Sequence, residues 1–345
     1  MPGTQPHGLE GYPPLRKSAF KSFLPRAVFS LAWVFMTPAY LALNWVVSIF
    51  RPTTDEIVKF RRLWLPIACI MLIVSVPIAL FALPFYILSH LGRRAFTYHV
   101  YAERTKRSIS KTEWTIVSCN AHLLPEALAR KYNLRNTSER AKSLAVRIAA
   151  SNIQRHSVNF NNVLKDFPTS DFVCMQQVYD RTAVERILFH LHQSFPFIVE
   201  DTGVLHWRSH RLSAGSGLML LSKYPIMDAE FKTFSGSAGA DGRFCRGLLL
   251  AKVHLFKKNK PEKRRFVGYI FVTELHSSNP DIRRQQLEEI ERFTHNFRER
   301  TSNPGEVVGF QAIAGEFHFD NVSQVHNTNW EHNLFTRYAP DNTHL

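Results

Sequence analysis

The sequence predicts a layered α/β domain carried behind an N-terminal apolar hairpin. Two uncharged runs, residues 27–50 and 63–92, lie close together near the start of the chain. From about Glu113 onward, runs of strand character alternate with segments of helical periodicity. The 345 residues leave ample length for a buried core behind those runs.

The two apolar runs hold 24 and 30 positions without Asp, Glu, Lys or Arg, and each exceeds the roughly 20 residues that cross a hydrocarbon core. A cleaved signal peptide fits poorly, because 26 residues precede the first run and a second follows at once. Pro38, Pro66, Pro77 and Pro84 predict kinks, since proline removes a helical hydrogen bond. The chain thus divides into a basic tail 1–26, a hairpin 27–92 with loop 51–62, a linker 93–112 and a globular domain 113–345.

Charge points to the hairpin's surroundings. The whole chain carries a formal +15, and residues 1–100 hold ten Lys/Arg against three Asp/Glu, 10 − 3 = +7. The cations gather at every mouth of the hairpin: Arg16, Lys17, Lys21 and Arg26, then Arg51, Lys59, Arg61 and Arg62, then Arg93 and Arg94. Such clusters beside apolar segments favour an anionic phospholipid surface and exclude nucleic acid as the expected partner. The positive-inside rule places the clusters and the globular domain on the cytosolic side of a membrane, which favours a re-entrant hairpin over two full spans. Cys69, Cys119, Cys174 and Cys245 lack metal or disulfide spacing and read as reduced thiols, with Cys69 a candidate for S-acylation.

In the globular part, Trp114–Cys119 alternates as a half-buried strand, and 171–178, 217–222, 267–275 and 306–314 read as further strands. Asn136 and Glu139 form a capping-box pattern for a helix through Ala150, and 151–170 reads as a loop. Asp281 opens a second helix whose Leu287, Ile290, Phe293 and Phe297 share one face.

Several short tracts in this domain carry a resemblance. Gly315-Glu316-Phe317-His318-Phe319-Asp320-Asn321 resembles the G-D-F-N-F-D-N element of the neutral sphingomyelinases, a membrane-attached branch of the endonuclease/exonuclease/phosphatase superfamily. Asn120-Ala121-His122-Leu123-Leu124-Pro125-Glu126, Ser216 through Ile226, Arg246-Gly247-Leu248-Leu249 and Asn333 through Tyr338 match further family elements in the same order. The resemblance covers nearly the whole chain. It implies an endonuclease/exonuclease/phosphatase-type sandwich, magnesium as cofactor, and hydrolysis of sphingomyelin to ceramide and phosphocholine.

The site positions implied by that resemblance are mostly substituted. Gln177 stands where the family has a magnesium-binding Glu, losing the charge a hard cation wants. Glu274 replaces the first His of a T-H-L-H element while His276 remains. Glu316 and His318 replace an Asp and an Asn, and Asn120 is retained. Asp241 and Arg246 occupy the places of a switch-loop Asp/Lys pair. The family's C-terminal Asp-His, with its general base, has no counterpart before Leu345, so the expectation is a sandwich without its closing C-terminal strands. Glu274, His276, Glu316 and His318 are also metal-ligand types that suit manganese or zinc, a repurposed site being the alternative. The expected function is a membrane-associated neutral-sphingomyelinase-like protein whose hydrolysis is lost or severely impaired. Two alternatives stand beside it: an active sphingomyelin phosphodiesterase whose sequence here is incomplete, and a non-enzymatic module that binds acidic lipid, self-associates or pairs with an active relative.

Overall fold

The computed structural model describes residues 15, 18–54, 56, 61–91, 93–101, 113–153, 169–203, 215–236, 244–255, 265–318, 332 and 334. Arg16, Lys17, Lys59 and Asp241, the Phe319–Asn321 part of the opening motif and the Asn333-to-Tyr338 match (Leu334 excepted) lie outside them, as do the Arg61 and Arg62 side chains.

The apolar runs form two long helices, α1 (Phe23–Phe50) and α2 (Leu65–His90), each long and apolar enough to cross a membrane. Neither breaks at its prolines: Pro38, Pro77 and Pro84 all sit inside continuous helix. The two helices pack on each other through small side chains. Ala68, Ser75, Ala82 and Ser89 are buried at seven-residue intervals along α2, and such small side chains let two helix backbones approach closely. The Ser75 and Ser89 hydroxyls donate to the Met71 and Tyr86 carbonyls of their own helix, so packing them costs no unpaired polar group. Large side chains point outward instead: Ile73 is 73% and Phe81 75% exposed.

Beyond the hairpin lie β1 (Thr97–Val100), β2 (Ile116–Leu123), the single turn α3 (Glu126–Ala129), α4 (Thr137–Ile153), β3 (Phe172–Val178), α5 (Arg181–Leu191), β4 (Phe197–Glu200), β5 (Met219–Ser222), β6 (Ile226–Thr233), β7 (Gly247–Leu255), β8 (Arg265–Glu274), α6 (Pro280–Thr301) and β9 (Glu306–Glu316). One sheet runs β1-β4-β5-β3-β2 and the other β6-β7-β8-β9. Each contains one parallel pair, β2 with β3 and β8 with β9, because each pair is joined through a helical crossover.

Three apolar layers follow from strand alternation. Phe172, Cys174, Leu220, Leu249, Ala251 and Val272 fill the space between the sheets. Val173, Met175 and Leu221 point the other way, onto Ala145, Ile148 and Ile187 of α4 and α5. Leu248, Leu250 and Phe271 pack on Leu287, Ile290 and Phe297 of α6. The result is helix, sheet, sheet, helix: the layered α/β sandwich expected. Cys119 is half-buried and Cys174 and Cys245 are buried, all without a disulfide, while Cys69 is exposed on α2.

Local details correct the sequence reading. Three residues of the predicted 151–170 loop, Ser151, Asn152 and Ile153, belong to the end of α4. Its start is not held by a capping box: the Glu126 carboxylate accepts from the Asn136 and Thr137 amides at 3.1 Å each, with Asn136 at φ +52°. A tertiary carboxylate thus supplies what a local side chain was expected to supply. The N-cap of α6 is Asn279, whose Oδ1 accepts from the Asp281 and Ile282 amides, two residues before the predicted start.

The hairpin is fastened to the domain along its length. At its open end, Phe20 bridges to Arg93 in antiparallel fashion. The Arg93 guanidinium pairs with Asp201 and lies over the Phe20 ring, and Arg94 donates to the Ser18 carbonyl at 3.1 Å. Midway, the Tyr40 hydroxyl donates to Asp180 at 2.8 Å, Asn44 accepts from the Ala127 amide, and Arg181 lies 5.3 Å from both the Phe29 and Trp33 rings. At the loop end, Arg130 binds both oxygens of Glu56, at 2.8 and 3.0 Å, and the Arg51 carbonyl at 3.1 Å. Arg93 therefore departs from the expected lipid-binding set: its side chain is 6% exposed and already paired. Lys21, Arg26 and Arg51 remain exposed.

Candidate functional site

In a parallel strand pair both carboxyl ends point the same way, and crevices form beyond them. Here the carboxyl ends of two such pairs, one from each sheet, converge. Asn120 and Gln177 come from β2 and β3, while Glu274 and Glu316 face each other in register on β8 and β9.

The four side chains form one polar cluster with Arg246 and His318. Gln177 Nε2 donates to Glu274 Oε1 at 2.8 Å and to Glu316 Oε2 at 3.2 Å. Asn120 Nδ2 donates to the same Glu316 oxygen. Arg246 Nη1 pairs with Glu274 Oε2. His318 lies between the carboxylates, with Nδ1 3.5 Å from Glu316 and Nε2 3.7 Å from Glu274.

The backbone beneath the cluster is strained at three non-glycine positions. His122, Gln177 and His318 have φ of +51°, +60° and +54°, conformations that cost about 1 kcal/mol or more for residues with a Cβ and that concentrate at functional sites. His122 sits where the β2–β3 register shifts, and its carbonyl accepts from both terminal nitrogens of Arg140. Gly315 is required for another reason: a Cβ there would lie 2.1 Å from the Thr273 carbonyl oxygen, so β8 and β9 could not pair as they do.

Electrostatically the two carboxylates differ. Burial pushes Glu274 up, but His318, Arg246 and Gln177 together outweigh it and hold the carboxyl below its usual value. Glu316 is raised, by burial first and by Glu274 beside it, against the opposing pull of His318, Arg246 and His122. Glu274 is thus the committed anion, matched by the Arg246 guanidinium.

Glu274, Glu316 and His318 can bring ligating atoms within 4.8 Å of one another, which tests the expected metal site directly. The residues do not fit a magnesium ion as they stand. A hard divalent cation wants anionic oxygens, yet the amides of Asn120 and Gln177 present N–H groups to the carboxylates and a guanidinium already holds Glu274. A cation placed among them would face donors and a like charge.

Of the expected site residues, Asn120, Gln177, Glu274, Glu316, His318 and Arg246 come together. His276 does not join them. Its Nδ1 accepts from the Ser278 and Asn279 amides at 3.3 and 3.0 Å, and its own amide donates to Gln286, so it organises the turn leading into α6. That separates it from the expected manganese or zinc set. Sequence reading missed Tyr179, whose ring lies 4.7 Å from that of Phe244 beside the cluster and packs onto Gly217. It also missed Tyr40 and Asp180, which tie α1 to the segment following Gln177. A tyrosine within an apolar run was the one signal available for that contact.

A cleft of about 1520 Å³ connects these features. It runs from Glu316, His318 and Arg246 past Tyr179 to Trp33, Tyr40 and Tyr86 on the hairpin.

Two known proteins are similar to this chain. Sphingomyelin phosphodiesterase 3 of Rattus norvegicus is 34% identical over 209 residues, 57% of this chain and 32% of the relative. Sphingomyelin phosphodiesterase 5 of Mus musculus is 26% identical over 359 residues, 93% of this chain and 71% of the relative. The chain is similar in sequence to these sphingomyelin phosphodiesterases. It spans about a third of the length of the phosphodiesterase 3 it matches. No family model matches it. Among solved structures, sphingomyelinase C from Streptomyces griseocarneus aligns with a TM-score of 0.46 at 18% identity, over 63% of this chain and 68% of that one. A Staphylococcus aureus beta toxin mutant with bound magnesium ions aligns at 0.45 and 18%, over 64% and 69%. At that level of likeness neither carries an argument about this chain.

Proposed function

We propose that this sphingomyelinase homologue lies on an anionic phospholipid membrane and has lost most or all hydrolysis of sphingomyelin. One observation carries the loss: the carboxylates at the strand ends are occupied by the chain's own donors, with Arg246 on Glu274 and an amide at position 177. Kinship with sphingomyelinases suggests divalent-metal chemistry at this site, and this donor set opposes it. What the cluster does with its residues is hold charge in place. Asn120 and Gln177 orient the Glu316 carboxylate, Arg246 neutralises Glu274, and His318 spans the two.

Membrane attachment is supported by the hairpin. Both its open end and its loop end are fastened to the same globular domain, so a hairpin lying against the bilayer surface satisfies the contacts that two full spans would break. The large apolar side chains exposed on α2 then enter the lipid, with Lys21, Arg26 and Arg51 available to anionic headgroups. The globular domain would share the cytosolic side with those cations. The test is phosphocholine release from sphingomyelin vesicles containing anionic lipid, with and without magnesium, using the full chain. Release at or below the no-protein rate is expected. Magnesium-dependent turnover by the unaltered chain sinks the proposal.

A further inference from the structure

We propose that Ser235 is a phosphorylation site, and that a phosphoryl group there releases the root of the β6–β7 connection from α6. The geometry begins with α6, which buries two stripes. Leu287, Ile290 and Phe297 enter the apolar core, while Arg283, Gln286 and Glu289, spaced three apart, are buried polar residues. The Arg283 guanidinium donates to the His276 and Ser277 carbonyls at 3.2 and 3.1 Å. The Gln286 amide is a bridge: its Oε1 accepts from the His276 amide at 2.8 Å and its Nε2 donates to the Gly236 carbonyl at 3.0 Å. The Glu289 carboxylate accepts from both donors of Ser235, the backbone amide at 3.0 Å and the hydroxyl. Gln285 donates to the same hydroxyl oxygen at 2.8 Å. One helix face thus ties the segment after β8 to the segment after β6. The tie continues to the cluster at the strand ends, because the Phe234 amide donates to the Arg246 carbonyl at 3.1 Å.

Ser235 is exposed, unlike the three buried residues that hold this joint. In the phosphorylation step the bond from the γ-phosphorus of a nucleoside triphosphate to its bridging oxygen breaks and a bond to Ser235 Oγ forms. The nucleoside diphosphate leaves, and the hydroxyl proton passes to the kinase's catalytic carboxylate. The ester has no hydroxyl to donate to Glu289, and it sets roughly two negative charges beside that carboxylate. Lost donor and like charge act together to expel the serine from α6. Two exposed cations suit the event. Lys232, 43% exposed, stands three residues before Ser235, where a kinase that selects its substrate by charge can read it. Arg292, 63% exposed and 3.7 Å from Glu289, can take the expelled phosphate.

The experiment has two arms, both on the full chain in detergent, and needs neither a bilayer nor hydrolysis. The chain is purified from eukaryotic cells with phosphatase inhibitors and mapped by mass spectrometry. Phosphate on Ser235 is expected, and recovery of its peptide only in the unmodified form overturns the site. The second arm follows hydrogen exchange after phosphoserine is installed at position 235. Peptides covering 234–236 and 276–286 should exchange about tenfold faster or more than in the unmodified chain, as for loss of a hydrogen bond to a charged group. Ser235→Ala, which removes the hydroxyl without adding charge, should exchange more slowly than the phosphorylated chain. Glu289→Gln in the phosphorylated chain removes the repulsion and should return exchange towards the Ser235→Ala level. Peptides of α4 and α5 should stay unchanged, and if the phosphorylated chain does not fold, Ser235→Asp takes its place under the same criteria. Equal exchange in the phosphorylated and Ser235→Ala chains, or no relief from Glu289→Gln, overturns the release.

Discussion

Cutting the Glu56–Arg130 pair should loosen the hairpin loop from the domain without unfolding the sandwich. Glu56 has a side chain 1% exposed and Arg130 one 5% exposed. Arg130 gives Glu56 two charge-assisted hydrogen bonds and the Arg51 carbonyl a third. In Arg130→Met, Glu56 loses both of those bonds, while the Thr53 amide stays at 3.2 Å and Arg135 at 3.8 Å. Breaking a buried pair by removing one partner costs about 3–5 kcal/mol, and each 1.4 kcal/mol is tenfold in an equilibrium. Local opening of residues 51–56 should therefore rise by about two orders of magnitude or more. Hydrogen exchange of a peptide covering that loop, with the full chain in nanodiscs, reads this directly. The double variant Glu56→Gln/Arg130→Met should exchange much more slowly than the sum of the single effects predicts, because no buried charge is left alone. Additive effects, or single variants exchanging within tenfold of the unaltered chain, would refute the claim that this pair fastens the loop.

Three further outcomes follow from other parts of the molecule. Burial, with Arg265 nearby, lowers His254 to about 4, so it stays neutral in the fold while an unfolded His protonates near 6.5. Stability from this group is intact above pH 6.5 and is lost as pH falls towards 4, by about 3 kcal/mol. A His254→Gln chain should show a flatter Tm decline across that window, and an unchanged slope would contradict the assignment. Gly315→Ala should destabilise the domain by about 3 kcal/mol, the upper end of overpacking costs, since its Cβ meets backbone rather than a movable side chain; chemical denaturation measures it. Ile73→Asp with Phe81→Asp should release the chain from anionic vesicles in a flotation assay. Each side chain forfeits about 1.5–3 kcal/mol of apolar burial, and retained flotation would place the lipid contact elsewhere.

The strands at 171–178, 217–222, 267–275 and 306–314 and the helix after Asp281 were legible because apolar runs and helical periodicity mark buried elements, and β3, β5, β8, β9 and α6 lie there, whereas β1, β4, β6 and β7 were not read from the sequence. Helix starts were less legible. At Asn136 the cap came from Glu126, which no local pattern could reveal. The six residues that meet at the site were readable only as family positions. Spacing along the chain does not say that Asn120 and Glu316, 196 residues apart, share a hydrogen bond. His276 shows the converse: a residue beside Glu274 in sequence whose side chain serves the turn before α6.

By itself the sequence determined the apolar hairpin, the alternating α/β texture and the resemblance to sphingomyelinases, because hydrophobic pattern and collinear motifs are local properties. Tertiary structure alone decided which charges are free and which are spent. It paired Arg93 with Asp201, Arg130 with Glu56 and Arg246 with Glu274. Charge neutralisation depends on distance and burial rather than on order along the chain, and two of those three pairs join segments more than 70 residues apart.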